Sequence, residues 1–168
     1  MAMRQHCPMS MLDAGGVMTI YFYSIREEPY GVFSNFSAHG FTIDGKYWPT
    51  SEHYFQAQKF RDTPHEDVIR LERTPREAAD RGRERSRPLR GDRENVKDDV
   101  MRRAVLAKFT AHPPSKALLL STGDEPIVEN APGDYYWGCG ANGTGANMLG
   151  IILMETRAIL RADVGGRE

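Results

Sequence analysis

Long apolar runs, a surplus of charge of one sign and cysteines in any paired spacing are all missing from this chain of 168 residues. No apolar stretch approaches the roughly 20 residues that a bilayer span requires, so no membrane partner is expected. The N-terminus has no basic stretch leading into an apolar one, so no secretory signal is expected either. Lysines and arginines number 22 against 23 aspartates and glutamates, and a net charge of −1 sets up no global field that would call for nucleic acid. Cys7 and Cys139 lie far apart, in neither zinc nor redox spacing, and point to a reducing cytoplasm. Cys139, between glycines, reads as a bystander thiol rather than a nucleophile. His39, His53, His65 and His112 form no i, i+4 pair and have no carboxylate at ligand spacing, so no metal and no bound cofactor is expected. There is no βαβ alternation, no internal repeat and no Ser-His-Asp arrangement arguable from spacing.

What remains is enough for one domain with a real core. Residues 1–17 form a polar extension, methionine-dotted and expected to be disordered, and Met18 is a candidate biological start. The domain is expected over 18–163, with a short tail over 164–168. Thr19 to Tyr23 alternates as a strand. Phe41 to Trp48 alternates around Asp44-Gly45, a hairpin signal. A helix is expected from Ser51 and another from His65 to Arg73. Thr74-Pro75-Arg76-Glu77 spells a capping box for a third, reaching about Glu84. Asp92 is expected to cap a long helix through His112, with Val96, Val100, Ala104 and Phe109 inward. Pro114 opens a short helix that Gly123 ends. Ile127 to Glu129 is a short strand, Asp134 to Gly145 a glycine-rich loop, and Asn147 to Arg161 a terminal helix. The sum is a compact, mostly helical α+β domain of about seven helices with a small antiparallel element.

The stretch from Tyr47 to Phe60 is the richest in chemistry, with aromatics interleaved with Glu52, His53, Gln56 and Lys59. Thr50 or Ser51 can cap its helix, and Glu52 then lies in the first turn, where the helix dipole favours a carboxylate. A charged carboxylate beside flat rings suits a reaction that builds positive charge next to a planar leaving group. The plainer alternative is a buried stripe of Tyr54, Phe55, Ala57 and Phe60, with Glu52 and Lys59 solvated.

Asp134 followed by Tyr135-Tyr136-Trp137 repeats the pattern of one acid beside aromatics, and two such clusters favour a shared pocket. Gly138 to Gly143 matches a dinucleotide fingerprint by letter but lacks the flanking βαβ unit. Feeding the helix near Asn147, that loop is either a phosphate holder or an ordinary surface loop. Arg81 to Arg93 carries six arginines against two acids and is either a solvated face or a phosphate clamp.

These residues resemble the NADAR family, the YbiA-like N-glycosidases, over about Thr19 to Arg161. The resemblance rests on Tyr30-Gly31-Val32-Phe33-Ser34-Asn35-Phe36, on Trp48-Pro49-Thr50-Ser51-Glu52-His53-Tyr54-Phe55-Gln56-Ala57-Gln58-Lys59-Phe60, and on Lys108-Phe109. It extends to Thr122-Gly123-Asp124, to Asp134-Tyr135-Tyr136-Trp137-Gly138 and to Gly145-Ala146-Asn147-Met148-Leu149-Gly150. It implies a mostly helical α+β fold and hydrolysis of a bond between ribose and a nitrogenous base. The family's substrates are ribosylamino-pyrimidine phosphates of riboflavin biosynthesis, and some relatives remove ADP-ribose from guanine bases.

In that frame Glu52 is the expected carboxylate at the sugar cation and Asp134 the second acid. Lys59 and Lys108 are alternative groups able to trap an opened ribose. Phe33, Asn35, Trp48, His53, Tyr54, Gln56, Arg93, Trp137, Gly138 and Asn147 are the expected substrate contacts, with Trp48, Tyr54 and Trp137 against the base. One position departs from the family pattern. Asp-Trp-Glu becomes Asp92-Arg93-Glu94, so a stacking face becomes a cation that favours an anionic substrate. The expected partner is a small ribosylated base or nucleotide. An ADP-ribosyl-nucleobase hydrolase acting on nucleic acid, and a non-catalytic NAD or ADP-ribose module, are the alternatives. Oligomeric state is not legible in the chain.

Overall fold

The structure, a computed structural model, describes residues 16–165. Residues 1–15 of the extension expected over 1–17, and residues 166–168 of the expected tail, lie outside the described residues. In chain order the elements are β1 (Ile20–Phe22), β2 (Phe41–Ile43), β3 (Lys46–Trp48), α1 (Ser51–Ala57), α2 (Pro64–Arg70), α3 (Pro75–Arg83), α4 (Arg93–Ala111), α5 (Pro113–Ser121), β4 (Ile127–Glu129) and α6 (Met148–Gly165). Two 3₁₀ turns, Tyr30–Phe33 and Gln58–Phe60, complete the helical content. The chain is thus α+β and mostly helical, with six α-helices among the described residues rather than about seven. None of these helices is long and apolar enough to cross a membrane. The described residues fall into two compact units, Asn35–Pro113 and a second built from 16–34 and 114–165.

In the first unit β2 and β3 form an antiparallel hairpin with Phe41 opposite Trp48 and Ile43 opposite Lys46. Asp44 and Gly45 turn it with φ of 52° and 75°, the left-handed pair that an Asp-Gly hairpin turn needs. Thr74 and Glu77 close the expected capping box of α3, with Glu77 N–H on Thr74 Oγ1 at 3.1 Å and Thr74 N–H on Glu77 Oε2 at 3.0 Å. Asp92 precedes α4 as expected but makes no capping bond. Its carboxylate is taken by the Arg90 guanidinium at 2.6 and 2.9 Å. Of the residues expected inward on α4, Ala104 and Phe109 are buried, while Val96 and Val100 are half-buried. The core gathers Phe41, Ile43, Trp48, Tyr54, Ala57, Phe60, Ile69, Ala78 and Ala104.

The second unit is held by a pairing not foreseen from the sequence. β1 and β4 run parallel, Ile20 opposite Ile127 and Phe22 opposite Glu129. α6 buries Leu149, Ile152, Leu153, Thr156 and Leu160, as its periodicity predicts, with Leu160 and not Ile159 completing the stripe.

α1 and α3 pack closely because Gly82 has no side chain. A Cβ there would run into Gln56 Oε1 and stand 2.8 Å from Gln56 Cβ. Gly82→Ala is therefore expected to lower stability by about 1–3 kcal/mol, as overpacking does, in a denaturant titration; an unchanged midpoint would contradict this packing. Burial, the largest cause in each case, also pushes the pKa of His39, His53 and His65 below the usual 6.5. Below about pH 6.5 the unfolded chain then binds more protons than the folded one, so stability rises with pH through that window. The melting temperature is expected to fall as pH is lowered from about 7.5 to about 5.5, and a flat profile would contradict the burial of these rings.

Candidate active site

The candidate carboxylate owes its position to the N-terminus of α1. Thr50, in extended conformation, accepts the His53 N–H on Oγ1 at 3.2 Å. Thr50 Oγ1 and His53 Nδ1 stand 2.8 Å apart, and His53 Nε2 lies 3.0 Å from Glu72 O. Since a carbonyl only accepts, Nε2 carries the proton and Nδ1 accepts from the threonine hydroxyl, which fixes a neutral ring. His53 is thereby part of the helix cap, with both ring nitrogens occupied, and is not free to contact substrate as expected.

Glu52 follows in the first turn, 7% exposed, with its N–H on Asn35 O at 3.1 Å. One turn on, Gln56 Nε2 donates to Glu52 Oε1 at 2.7 Å. The next turn brings Lys59, whose Nζ reaches Gly82 O at 3.5 Å and lies 5.5 Å from the centre of the Phe55 ring. Burial lowers the Lys59 pKa to about 8, the Arg93 charge pushes the same way, and the Glu52 charge opposes both. Carboxylate and guanidinium therefore act on one ammonium.

Beside Lys59 lies a narrow crevice of about 10 Å³, lined by Phe55, Gln58, Lys59, Arg90, Arg93, Val96, Lys97 and Val100. The Arg90 N–H donates to Lys59 O at 2.9 Å and clips the end of the 3₁₀ turn to the approach of α4. A larger and more open concavity of about 630 Å³ lies between the hairpin and α4. Arg103 is its one charged lining residue, and Glu52 lines neither concavity. The arginine run divides between its two readings. Arg81 pairs with Glu72 and Glu84, Arg83 with Asp80, and Arg87 with Glu84. Only Arg90 and Arg93 of the run line the cleft.

Several expected contacts belong to packing. Trp48 and Tyr54 are each 1% exposed and meet edge to face at 5.0 Å, leaving no open face for a base. Phe33 is buried against Phe22 and Tyr30 at 5.7 and 5.4 Å. Lys108, 1% exposed, is lowered by burial to about 7 and lines neither concavity. Asn35 holds the α1 start through its carbonyl, while its Oδ1 is buried without a hydrogen-bond partner among the described residues.

The other acid–aromatic cluster lies in the second unit. Asp134 Oδ1 accepts the N–H of Tyr136 at 2.9 Å and of Trp137 at 2.7 Å, which shapes the turn. Trp137 is half-buried, edge to face with Tyr136. The glycine-rich loop is not a phosphate holder. The N–H groups of Ala146, Asn147, Met148 and Leu149 donate to the carbonyls of Tyr135, Gly138, Tyr136 and Trp137. The backbone donors that an anion needs are therefore occupied. Asn147, at φ 52°, ties its side-chain amide to Ile127 O and Glu129 N, so it anchors β4. Gly138 is buried where a Cβ would meet Ala131. Sequence reasoning missed Phe55, Gln58, Arg90 and Lys97 as cleft residues. A signal existed for Lys97, one helical turn beyond Arg93.

Comparison with known proteins agrees with this architecture. Over 147 residues the chain is 52% identical to N-glycosidase Npun_R5314 of Nostoc punctiforme, covering 86% of this chain and 94% of that one. Over 138 residues it is 52% identical to N-glycosidase YbiA of Escherichia coli K12, covering 82% and 86%. The NMR structure of E. coli YbiA superposes with a TM-score of 0.83 at 45% identity, over 99% of this chain and 98% of that one. The maize protein named riboflavin biosynthesis protein PYRR, chloroplastic, is 42% identical over 146 residues, 77% of this chain and 23% of its own length. Residues 21–161 match the NADAR domain, and the chain belongs to that family.

Proposed function

We propose that this chain is an N-glycosidase that hydrolyses the bond between a ribose C1′ and a base nitrogen. The observation that carries the reading is a buried carboxylate, Glu52, hydrogen-bonded to Gln56 and near enough to Lys59 for its charge to act on that ammonium. As the C–N bond lengthens, C1′ gains positive charge and the base gains negative charge. Glu52 stabilises the sugar cation and orients the attacking water, the role a carboxylate plays in glycoside hydrolysis. The water oxygen bonds to C1′, its proton passes to the carboxylate, and the departing nitrogen takes up a proton. Lys59, with a pKa of about 8, holds a proton it can give near neutral pH.

The relatives named N-glycosidases support this reaction. The name of the maize relative places that protein in riboflavin biosynthesis, which supports an intermediate of that pathway as the substrate. The cysteine pattern favours the cytoplasm as its setting.

Purified protein incubated with ribosylamino-pyrimidine phosphates is expected to release free base, read by mass spectrometry. Glu52→Gln keeps the shape and the bond to residue 56 and is expected to lose about 10² or more in rate. Wild-type turnover by a folded Glu52→Gln protein would remove Glu52 from the chemistry. Asp134 separates differently. Asp134→Ala removes two hydrogen bonds and is expected to lower stability by about 1–3 kcal/mol, whereas Asp134→Asn keeps the turn. A loss of activity in Asp134→Asn without a loss of melting temperature would mark the charge itself as necessary; full activity would confine Asp134 to shaping its loop.

A further inference from the structure

We propose that Gln56 is a positioning residue for the reaction: its side-chain amide holds the Glu52 carboxylate in its working orientation, and Gly82 of α3 locks that amide in place. The part Glu52 plays in the chemistry rests on the glycosidase reading above; the lock itself does not.

Chemistry fixes which way the amide faces. Gln56 Nε2 stands 2.7 Å from Glu52 Oε1. A carboxylate only accepts, so the NH₂ end of the amide faces it and the carbonyl end turns away. The two residues are four apart on α1, which sets their side chains one above the other on the same face. The orientation of the acid is therefore tied to the orientation of the amide.

The carbonyl that turns away is the second argument. Gln56 is 4% exposed, and its Oε1 is buried with no hydrogen-bond partner among the described residues. A buried acceptor without a donor is costly. A methionine would fill much the same space without that cost, so packing alone does not account for an amide here. The orphaned oxygen is the consequence of aiming the N–H at Glu52.

Gly82 supplies the lock. A Cβ at this position would run into Gln56 Oε1 and stand 2.8 Å from Gln56 Cβ and 2.9 Å from Gln56 Cδ. With the glycine in place the backbone of α3 closes over the amide, which cannot swing toward that helix. The carbonyl of the same glycine lies 3.5 Å from Lys59 Nζ. One residue of α3 thus seats both polar side chains that follow Glu52 at successive turns. Gln56 lines neither of the two concavities and its carbonyl end faces α3, so it acts on a substrate only through Glu52.

The test is a double-mutant cycle on base release from ribosylamino-pyrimidine phosphates, with the melting temperature of each variant recorded. Gln56→Met keeps length and bulk but removes the donor. It is expected to lower kcat at least about tenfold with KM within about twofold of wild type, the signature of a misplaced acid rather than a lost substrate contact. Gly82→Ala displaces the amide from the other side and is expected to lower kcat as well. Both changes act through one hydrogen bond, so the double variant is expected to lose no more than the larger of the two single losses. Wild-type kcat in Gln56→Met, a loss confined to KM, or single losses that multiply in the double variant would overturn the proposal. NMR of the wild-type full chain reads the lock without substrate. One Gln56 side-chain amide proton is expected to resonate downfield and exchange slowly with water. A freely exchanging amide would overturn the proposal even where a variant fails to fold. Slow exchange in a protein that releases no base would strike the hydrolase reading alone.

Discussion

A carboxylate that is 7% exposed must be answered by its neighbours, or burial drives it to give up its charge. Glu52 is answered on three sides. The N-terminus of α1 supplies the positive end of a short dipole, Gln56 supplies an amide N–H at 2.7 Å, and Lys59 supplies a nearby ammonium. Each answer depends on a further contact. Thr50 and His53 fix the helix start, Gly82 lets α3 approach close enough to confine Gln56, and Arg90 holds the backbone of Lys59. The arrangement reads as a chain of dependencies that ends at one oxygen pair.

The same logic explains why the cleft is cationic. Burial lowers the Lys59 pKa to about 8, with Arg93 pushing the same way and Glu52 opposing. Positive groups gathered round a small concavity cannot neutralise one another. Arg90 is met by Asp92, and Arg93 and Lys97 are met by Glu94.

Much of this was legible in the sequence where the signal is local. Asp44-Gly45 dictated its hairpin turn, Thr74-Pro75-Arg76-Glu77 its capping box, and Thr50 its helix start. Glu52 stood out because a first-turn acid among aromatics has few uses. The errors share a physical cause in contacts between distant residues. All seven residues of α1 are buried, so polarity could not tell which aromatics faced a core, and Trp48 and Tyr54 were taken for a base-binding face. Asp92 sat at the capping position, but Arg90 outcompeted the helix for its carboxylate. The parallel pairing of Ile20 with Ile127 joins segments from opposite ends of the chain, and no periodicity records such a partnership. The glycine-rich loop stayed open between two readings because its letters say nothing of the carbonyls that occupy its donors.

The most direct test of the central claim is a crystal structure of Glu52→Gln holding an unreacted ribosylamino-pyrimidine phosphate. The account predicts ribose C1′ within about 3–4 Å of the residue 52 side chain, the separation of a near-attack geometry. A ligand seated instead in the open concavity beside Tyr47 and Arg103, with its sugar remote from residue 52, would contradict it.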